Sequence, residues 1–528
     1  MRHADGGSCG RGGAEQLEFN TKYYMSENLK KYYQYTYLWA FLACIALLPM
    51  SGTIALRNIL LVFMLILLIW GNVFVSELRV ETLFALKNIP APLMLWIIYL
   101  FLFPLWAPLP DIAWDNLRGQ WGESIVAWVV GLGALVAIGN RRPGIGVLAM
   151  ASAFPLMVHL FLSLLAYIGL FSDNFYQVIA NRSLDGLGFE IMRWFQKGFI
   201  PLNPHHPLDE GFKGIEVMHG NLGYTSSVAI SLLAAKLFGS AKKYSIRTTL
   251  PCVVAIGACF LSLLIARSRG AMLFNAAILC AGIIWNFARS STQENYAISH
   301  FKNILMSRSR SGVGIFILLM LLVVGTLGLR TDARWQGMGD RIAAGFLIAD
   351  PLTTLCSGLS ERDEARIRVR LSDRPPAYID EVVNSVRDGD GGRVVLMRAG
   401  SILMLENPAG LDGSRQSYER LMKKKCRGTP VLNYSHSHNS WFDLSLALGY
   451  VGVVLFAATF MTFVIVAVKR ASTANEVEIS MALGMLALFW FFRGFFDSLY
   501  REHYLEMQAI MLIYLYQLLI WRKSKNLD

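Results

Sequence analysis

The stretch Tyr434-Ser435-His436-Ser437-His438-Asn439-Ser440-Trp441 gathers two imidazoles, an amide and several hydroxyls directly ahead of the apolar run Leu444–Val468. A neutral imidazole at the mouth of a membrane span suits general-base work, because it can take a proton from an attacking hydroxyl near neutral pH. His438 is the candidate base, and His436 and Asn439 are candidates for orienting it or the substrate. Two histidines can also ligate zinc, but no carboxylate–histidine pattern of zinc-site spacing accompanies them, so no metal is expected.

Arginines offer the complementary chemistry. Ala266-Arg267-Ser268-Arg269-Gly270-Ala271 sits between two apolar runs. A guanidinium so near a bilayer needs an anionic partner, and its planar fork fits a phosphate; pairing with lipid headgroups is the competing use. Arg393 opens a helix-patterned segment that carries Arg398 and stops at Asn407-Pro408-Ala409-Gly410. Arg269 and Arg393 are the candidate phosphate ligands, with Arg267, Arg341, Arg398 and Arg501 behind them. Asp388-Gly389-Asp390 has the Asp-x-Asp form that holds a divalent cation in nucleotide-sugar transferases, and reads equally well as a solvated turn.

The elements that must position these residues are membrane helices. A chain that is 54% hydrophobic and 16% charged, with mean hydropathy +0.43, is too apolar for a water-soluble globule. About twelve runs are long enough to span, centred on 36–54, 58–75, 93–108, 123–140, 145–171, 222–239, 248–266, 270–288, 312–329, 441–468, 477–496 and 505–521. The leader Met1–Asn20 has no apolar core and reads as a disordered tail or a mis-called start rather than a signal peptide.

Lysines and arginines recur on one side: Lys30 and Lys31, Arg79 and Lys87, Arg141 and Arg142, Lys242, Lys243 and Arg247, Arg289 to Arg310, Lys469 and Arg470, and Arg522 to Lys525. That side is cytoplasmic by the positive-inside tendency, and the net charge of +12 is topological rather than a nucleic-acid footprint. The expected division is a cytoplasmic tail at 1–35, helices 1–9 over 36–329 with an outside loop at 172–221, a large outside loop at 330–440, helices 10–12 over 441–521, and a cytoplasmic tail at 522–528. Loops of such length are usually functional. Within them Phe189–Ile200 reads as an interfacial helix, 393–405 and 414–425 as helices, and 361–390 as mobile in part. Cys356 and Cys426 share the large loop and stand as either a disulfide or two thiols.

Taken together, Ser268-Arg269-Gly270-Ala271, Arg393 with Asn407-Pro408-Ala409-Gly410, and His436-Ser437-His438-Asn439 leading into Leu446-Ala447-Leu448-Gly449-Tyr450 resemble the O-antigen ligase and polymerase family of integral membrane glycosyltransferases. The likeness covers about residues 222–468, and many members carry a glutamate where this chain has Ala447. It implies an all-α polytopic fold of about 12 helices, with a large helical periplasmic loop between helices 9 and 10. It also implies metal-independent, cofactor-free, inverting transfer of a glycan from undecaprenyl diphosphate to lipid A-core at the periplasmic face of the bacterial inner membrane. His438 would be the base, and Arg269 and Arg393 the diphosphate ligands.

Three alternatives stay open at this point. A polymerase would use a second glycan repeat as acceptor, and a protein-glycosylating relative a Ser or Thr hydroxyl. A twelve-span secondary transporter would show two similar halves and charges at mid-membrane, whereas here the long segment is off-centre and the charges gather at the membrane mouth. Oligomeric state is not legible.

Overall fold

The structure is a computed structural model that describes residues 27–49, 53–74, 76–167, 219–239, 246–265, 268–293, most of 315–330, and then 335–471, 476–499 and 502–525. The interfacial segment expected at 189–200, the outside loop at 172–221 up to Met218, Arg267 and Arg501 lie outside these residues. Among the described residues every regular element is helical.

The first half contributes α1 (Glu27–Leu47), α2 (Ile54–Phe74), α3 (Ser76–Lys87), α4 (Ala91–Leu102), α5 (Pro110–Asn116), α6 (Gly122–Ile138) and α7 (Ile145–Tyr167). They are followed by α8 (His219–Gly239), α9 (Ile246–Ile265) and α10 (Arg269–Gln293). Five described helices are long and apolar enough to cross a membrane, or six if the pair 78–87 and 91–105, bent by 89°, is one span; shorter apolar helices occupy much of the remaining expected runs. The bend has a local cause: Pro90 cannot donate to the preceding turn, so α3 ends and α4 starts in a new direction. α6 is continued backward through a π-turn at Leu117–Trp121.

A second helical unit follows: α11 (Met338–Leu347), α12 (Pro351–Ser357), α13 (Glu361–Arg370), α14 (Pro376–Ser385), α15 (Asp390–Glu406) and α16 (Ser417–Lys425). Its own core contains Ile367, Val382, Val395, Leu403 and Tyr418 and closes on Leu446. The 361–390 stretch, expected to be mobile in part, carries two short helices. Ser360 caps α13 through Asp363 N, Pro376 starts α14, and Ile367, Ile379, Val382 and Val383 supply helix-spaced apolar groups that bury. Cys356 and Cys426 are bridged, tying the end of α12 to the end of α16. Beside the bridge, Val431 N and Leu432 N donate to the carbonyls of Cys356 and Leu355, so the chain leaves the unit along α12.

The chain then enters α17 (Ser440–Arg470), α18 (Val477–Arg493) and α19 (Glu502–Lys525). α19 packs on α6, and α18 packs on α8 and α17. One large apolar core joins these helices to α1, α2, α4, α6, α7 and α8.

Candidate functional site

The histidine segment 434–439 links α16 to α17 and is fastened on both flanks. Asn439 is the N-cap of α17: its Oδ1 accepts from Trp441 N (3.0 Å) and Phe442 N (3.1 Å), and its Nδ2 donates to Phe495 O (3.2 Å). On the other side Ser437 N donates to Asp443 Oδ1 at 2.9 Å. Between these fixed points His438 adopts φ 57°, a left-handed backbone that non-glycine residues seldom hold. The two imidazoles stand with ring centroids 4.4 Å apart, both half-buried.

The same segment is stitched to the turn between α18 and α19. Ser440 N donates to Gly494 O (2.7 Å) and Asp497 O (3.0 Å), Ser440 Oγ donates to Asp497 O (2.5 Å), and Leu499 N donates to Ser440 Oγ (2.6 Å). This sets the Asp497 carboxylate close enough to His438 for the two to act on each other electrostatically. Burial opposes ionisation of Asp497, but Arg493, a hydrogen bond from Tyr224 and the neighbouring His438 outweigh it and hold the carboxyl at about 2. Arg493 Nη2 lies 2.9 Å from Asp497 Oδ2, and its guanidinium sits over the rings of Tyr224 (5.3 Å) and Phe274 (5.1 Å).

Arg269 is the first residue of α10. A methyl group on the adjoining Gly270 would fall 2.8 Å from Arg493 Nη1, so the start of α10 lies against the arginine that pairs with Asp497. Arg269 itself grips Asp390 with both terminal nitrogens, Nη1 to Oδ2 at 3.1 Å and Nη2 to Oδ1 at 3.0 Å, and lies 5.9 Å from the Trp335 ring. Arg341, almost fully buried, approaches Asp390 Oδ2 through Nε at 3.5 Å and donates from Nη1 to Glu381 at 2.7 Å. Arg393 is one turn along α15, exposed, and in no ion pair among the described residues. It lies close enough to the Tyr434 ring, together with Asp388, to act on the phenol electrostatically.

The Asn407-Pro408-Ala409-Gly410 turn docks into α17. Leu411 N and Gly413 N donate to Ala447 O at 3.3 and 2.9 Å, and Tyr450 N donates to Pro408 O at 2.9 Å. α17 opens at Gly449, with φ 75°, to make these groups available. Tyr99 OH on Leu448 O (2.5 Å) and Trp121 Nε1 on Gly413 O (2.7 Å) brace the joint from α4 and the turn before α6.

A family model described as O-antigen ligase matches residues 254–457. That segment belongs to the O-antigen ligase family. The function that goes with it is of the O-antigen ligase or polymerase type, a glycosyltransferase chemistry. A search of curated proteins finds no significant match to the chain.

The O-antigen ligase segment holds Arg269, Arg341, Asp390, Arg393, His436 and His438, whereas Arg493 and Asp497 lie beyond its end. The structure brings Arg269 and Arg341 onto one carboxylate and sets His438 within electrostatic reach of another, Asp497. Arg398 serves elsewhere, since its Nη1 donates to the carbonyls of Gly345, Phe346 and Ile348 and so closes the end of α11. Three groups of the candidate site were not offered as site partners by the sequence: Arg493, Asp497 and Asp390. Arg493 had a signal, a lone basic residue at the end of an apolar run four residues before Asp497. Asp390 drew notice only as part of an Asp-x-Asp pattern, and its pairing with Arg269 had no signal, since the partners are distant in sequence.

Proposed function

We propose that the protein is an O-antigen ligase that moves a preassembled glycan from undecaprenyl diphosphate to the lipid A-core at the periplasmic face of the bacterial inner membrane. The observation that carries this reading is a strained, half-buried His438 within electrostatic reach of an ionised Asp497, which pairs with Arg493, while the start of α10 that bears Arg269 lies against Arg493. A base beside guanidinium groups is the pairing that displacement of a diphosphate by a hydroxyl requires.

In this reading the acceptor hydroxyl oxygen attacks the anomeric carbon. A new C–O bond forms as the bond from that carbon to the diphosphate oxygen breaks, and the configuration inverts. His438 takes the hydroxyl proton, and Asp497 orients the ring and stabilises the imidazolium that results. The departing lipid diphosphate carries the displaced electron pair. It is a weak base, so charge stabilisation by Arg269 and Arg393 serves it better than protonation would. Asn439 and Ser440 act through backbone placement, since their side chains are engaged in capping α17 and in holding the Asp497 turn. The diphosphate linkage supplies the driving force, and no cofactor is invoked.

An outside-facing site is supported by the basic segments on the opposite side and by the Cys356–Cys426 bridge, which suits an oxidising compartment. The test is the lipopolysaccharide banding pattern of a deletion strain complemented with wild type or His438→Ala. Loss of the long-chain ladder with polymerised glycan left on its lipid carrier is the expected result for His438→Ala. A single repeat still joined to core would assign polymerase activity instead, and an unchanged ladder would remove the ligase reading in favour of a glycoprotein or exopolysaccharide acceptor.

A further inference from the structure

In the structure both terminal nitrogens of the Arg269 fork are taken by Asp390, at 3.1 and 3.0 Å. A carboxylate held this way uses the same N–H vectors that a phosphate would use. Both side chains are shielded, with 15% and 14% of their surface exposed, so the contact is not a solvent-screened surface pair. It also crosses between two packing units: α10 is packed within the membrane helices, and α15 lies in the core of the 338–426 unit.

Asp390 is not committed to Arg269 alone. Its Oδ2 lies 3.5 Å from Arg341 Nε, while Arg341 Nη1 is drawn the other way by Glu381, whose side chain is 61% exposed. The carboxylate therefore has a second buried cation to keep when Arg269 changes partner. Leaving a shielded carboxylate without any cation would be costly, and Arg341 removes that cost. Arg393, exposed on the same first turn of α15, adds a positive charge beside the exchange without holding Asp390 itself.

We infer that Asp390 is an internal stand-in for the donor diphosphate: it holds Arg269 in its binding geometry while the site is empty, competes with the incoming diphosphate, and yields to it by remaining on Arg341. The inference rests on Arg269 being a diphosphate ligand. Asp390 is a positioning residue that never touches the reacting carbon, and it sets donor affinity by the fraction of Arg269 it occupies. It also keeps Arg269 from being captured by headgroups of bulk phospholipid, since a phosphate monoanion gains less from the exchange than a diphosphate does.

Farnesyl diphosphate, titrated by calorimetry into the full-length protein in detergent, reads this directly. Asp390→Asn keeps the shape but removes the charge, and should tighten binding by about three- to tenfold, with donor KM falling in the same sense. Glu381→Gln, at an exposed position, should free Arg341 to hold Asp390 more fully and tighten binding by about twofold; it keeps the test decisive if Asp390→Asn folds poorly. A purely structural role for Asp390 predicts the opposite sign, because a disordered Arg269 binds less well. Unchanged or weakened binding in both variants overturns the stand-in. Arg269→Ala should abolish the binding; a wild-type affinity there would instead remove Arg269 as a diphosphate ligand, and the proposed mechanism with it.

Discussion

Gly410 and Gly449 meet backbone to backbone: a methyl group on Gly410 would lie 2.4 Å from Gly449 N, and one on Gly449 would lie 2.6 Å from Ala409 C. Both residues have left-handed φ, 79° and 75°, so each position excludes a side chain twice, by space and by backbone. The contact is where the Asn-Pro-Ala-Gly turn enters the break in α17. Gly449→Ala is expected to cost on the order of 2–4 kcal/mol and to pull α15 away from α17. Thermal unfolding in detergent, together with activity, checks it; a variant of wild-type stability would show that the joint can relax.

His438→Ala should abolish transfer while the protein stays inserted and folded, because only the proton acceptor is lost. His436→Ala should lower the rate by roughly tenfold or less, since its ring packs on His438 at 4.4 Å while the Asp497 carboxylate answers to His438. Single-turnover transfer with purified donor separates the two effects.

Arg269→Lys is expected to behave almost like Arg269→Ala, with turnover reduced by at least about a hundredfold, because a point charge cannot reproduce the two-pronged contact. Arg393→Lys should retain more activity, as this exposed side chain acts through its charge rather than through a buried fork. Equal losses for the two lysine variants would contradict that division of labour.

The Asp497 carboxyl is held at about 2 in the folded protein, below the ordinary carboxylate range near 4 of an unfolded chain. Its ionised form therefore contributes stability that is fully present above pH ~4 and disappears as pH falls from ~4 to about 2. The stability gap between wild type and Asp497→Asn should be constant from neutral pH down to ~4 and shrink below it, which denaturation at stepped pH would show. Across pH 5–9 Asp497 stays charged, so any acid limb of the rate profile in that range arises from another group.

Cys356 and Cys426 are 70 residues apart, and cross-linking a loop of that length stabilises by about 4 kcal/mol in the chain-entropy model. Cys356→Ser is expected to lower the unfolding temperature of the 338–426 unit and to reduce transfer, because the chain from the bridge runs along α12 toward Tyr434. A gel-mobility shift on reduction of wild type, absent in the variant, verifies the bridge.

Helices and motif order were legible in the sequence because their causes are local. The run expected at 441–468 is α17 (Ser440–Arg470), and the helix expected at 393–405 lies inside α15 (Asp390–Glu406). Apolar spacing and the Asn-Pro-Ala-Gly stop act within a few turns. Where a local cue was outvoted, as in 361–390, the buried face of two short helices prevailed over the charge and prolines between them.

By itself the sequence determined that the chain is helical and membrane-embedded, that a His-x-His-Asn segment precedes a span, and that arginines gather where a phosphate could be met. Tertiary structure decided which carboxylate each of these residues faces. Arg269 and Asp390 are 121 residues apart, and Ser440 meets the Asp497 turn across 57. Hydropathy and periodicity carry no information over such distances, because an ion pair depends on where two whole helices dock, and docking is set by the summed packing of faces that no short window contains.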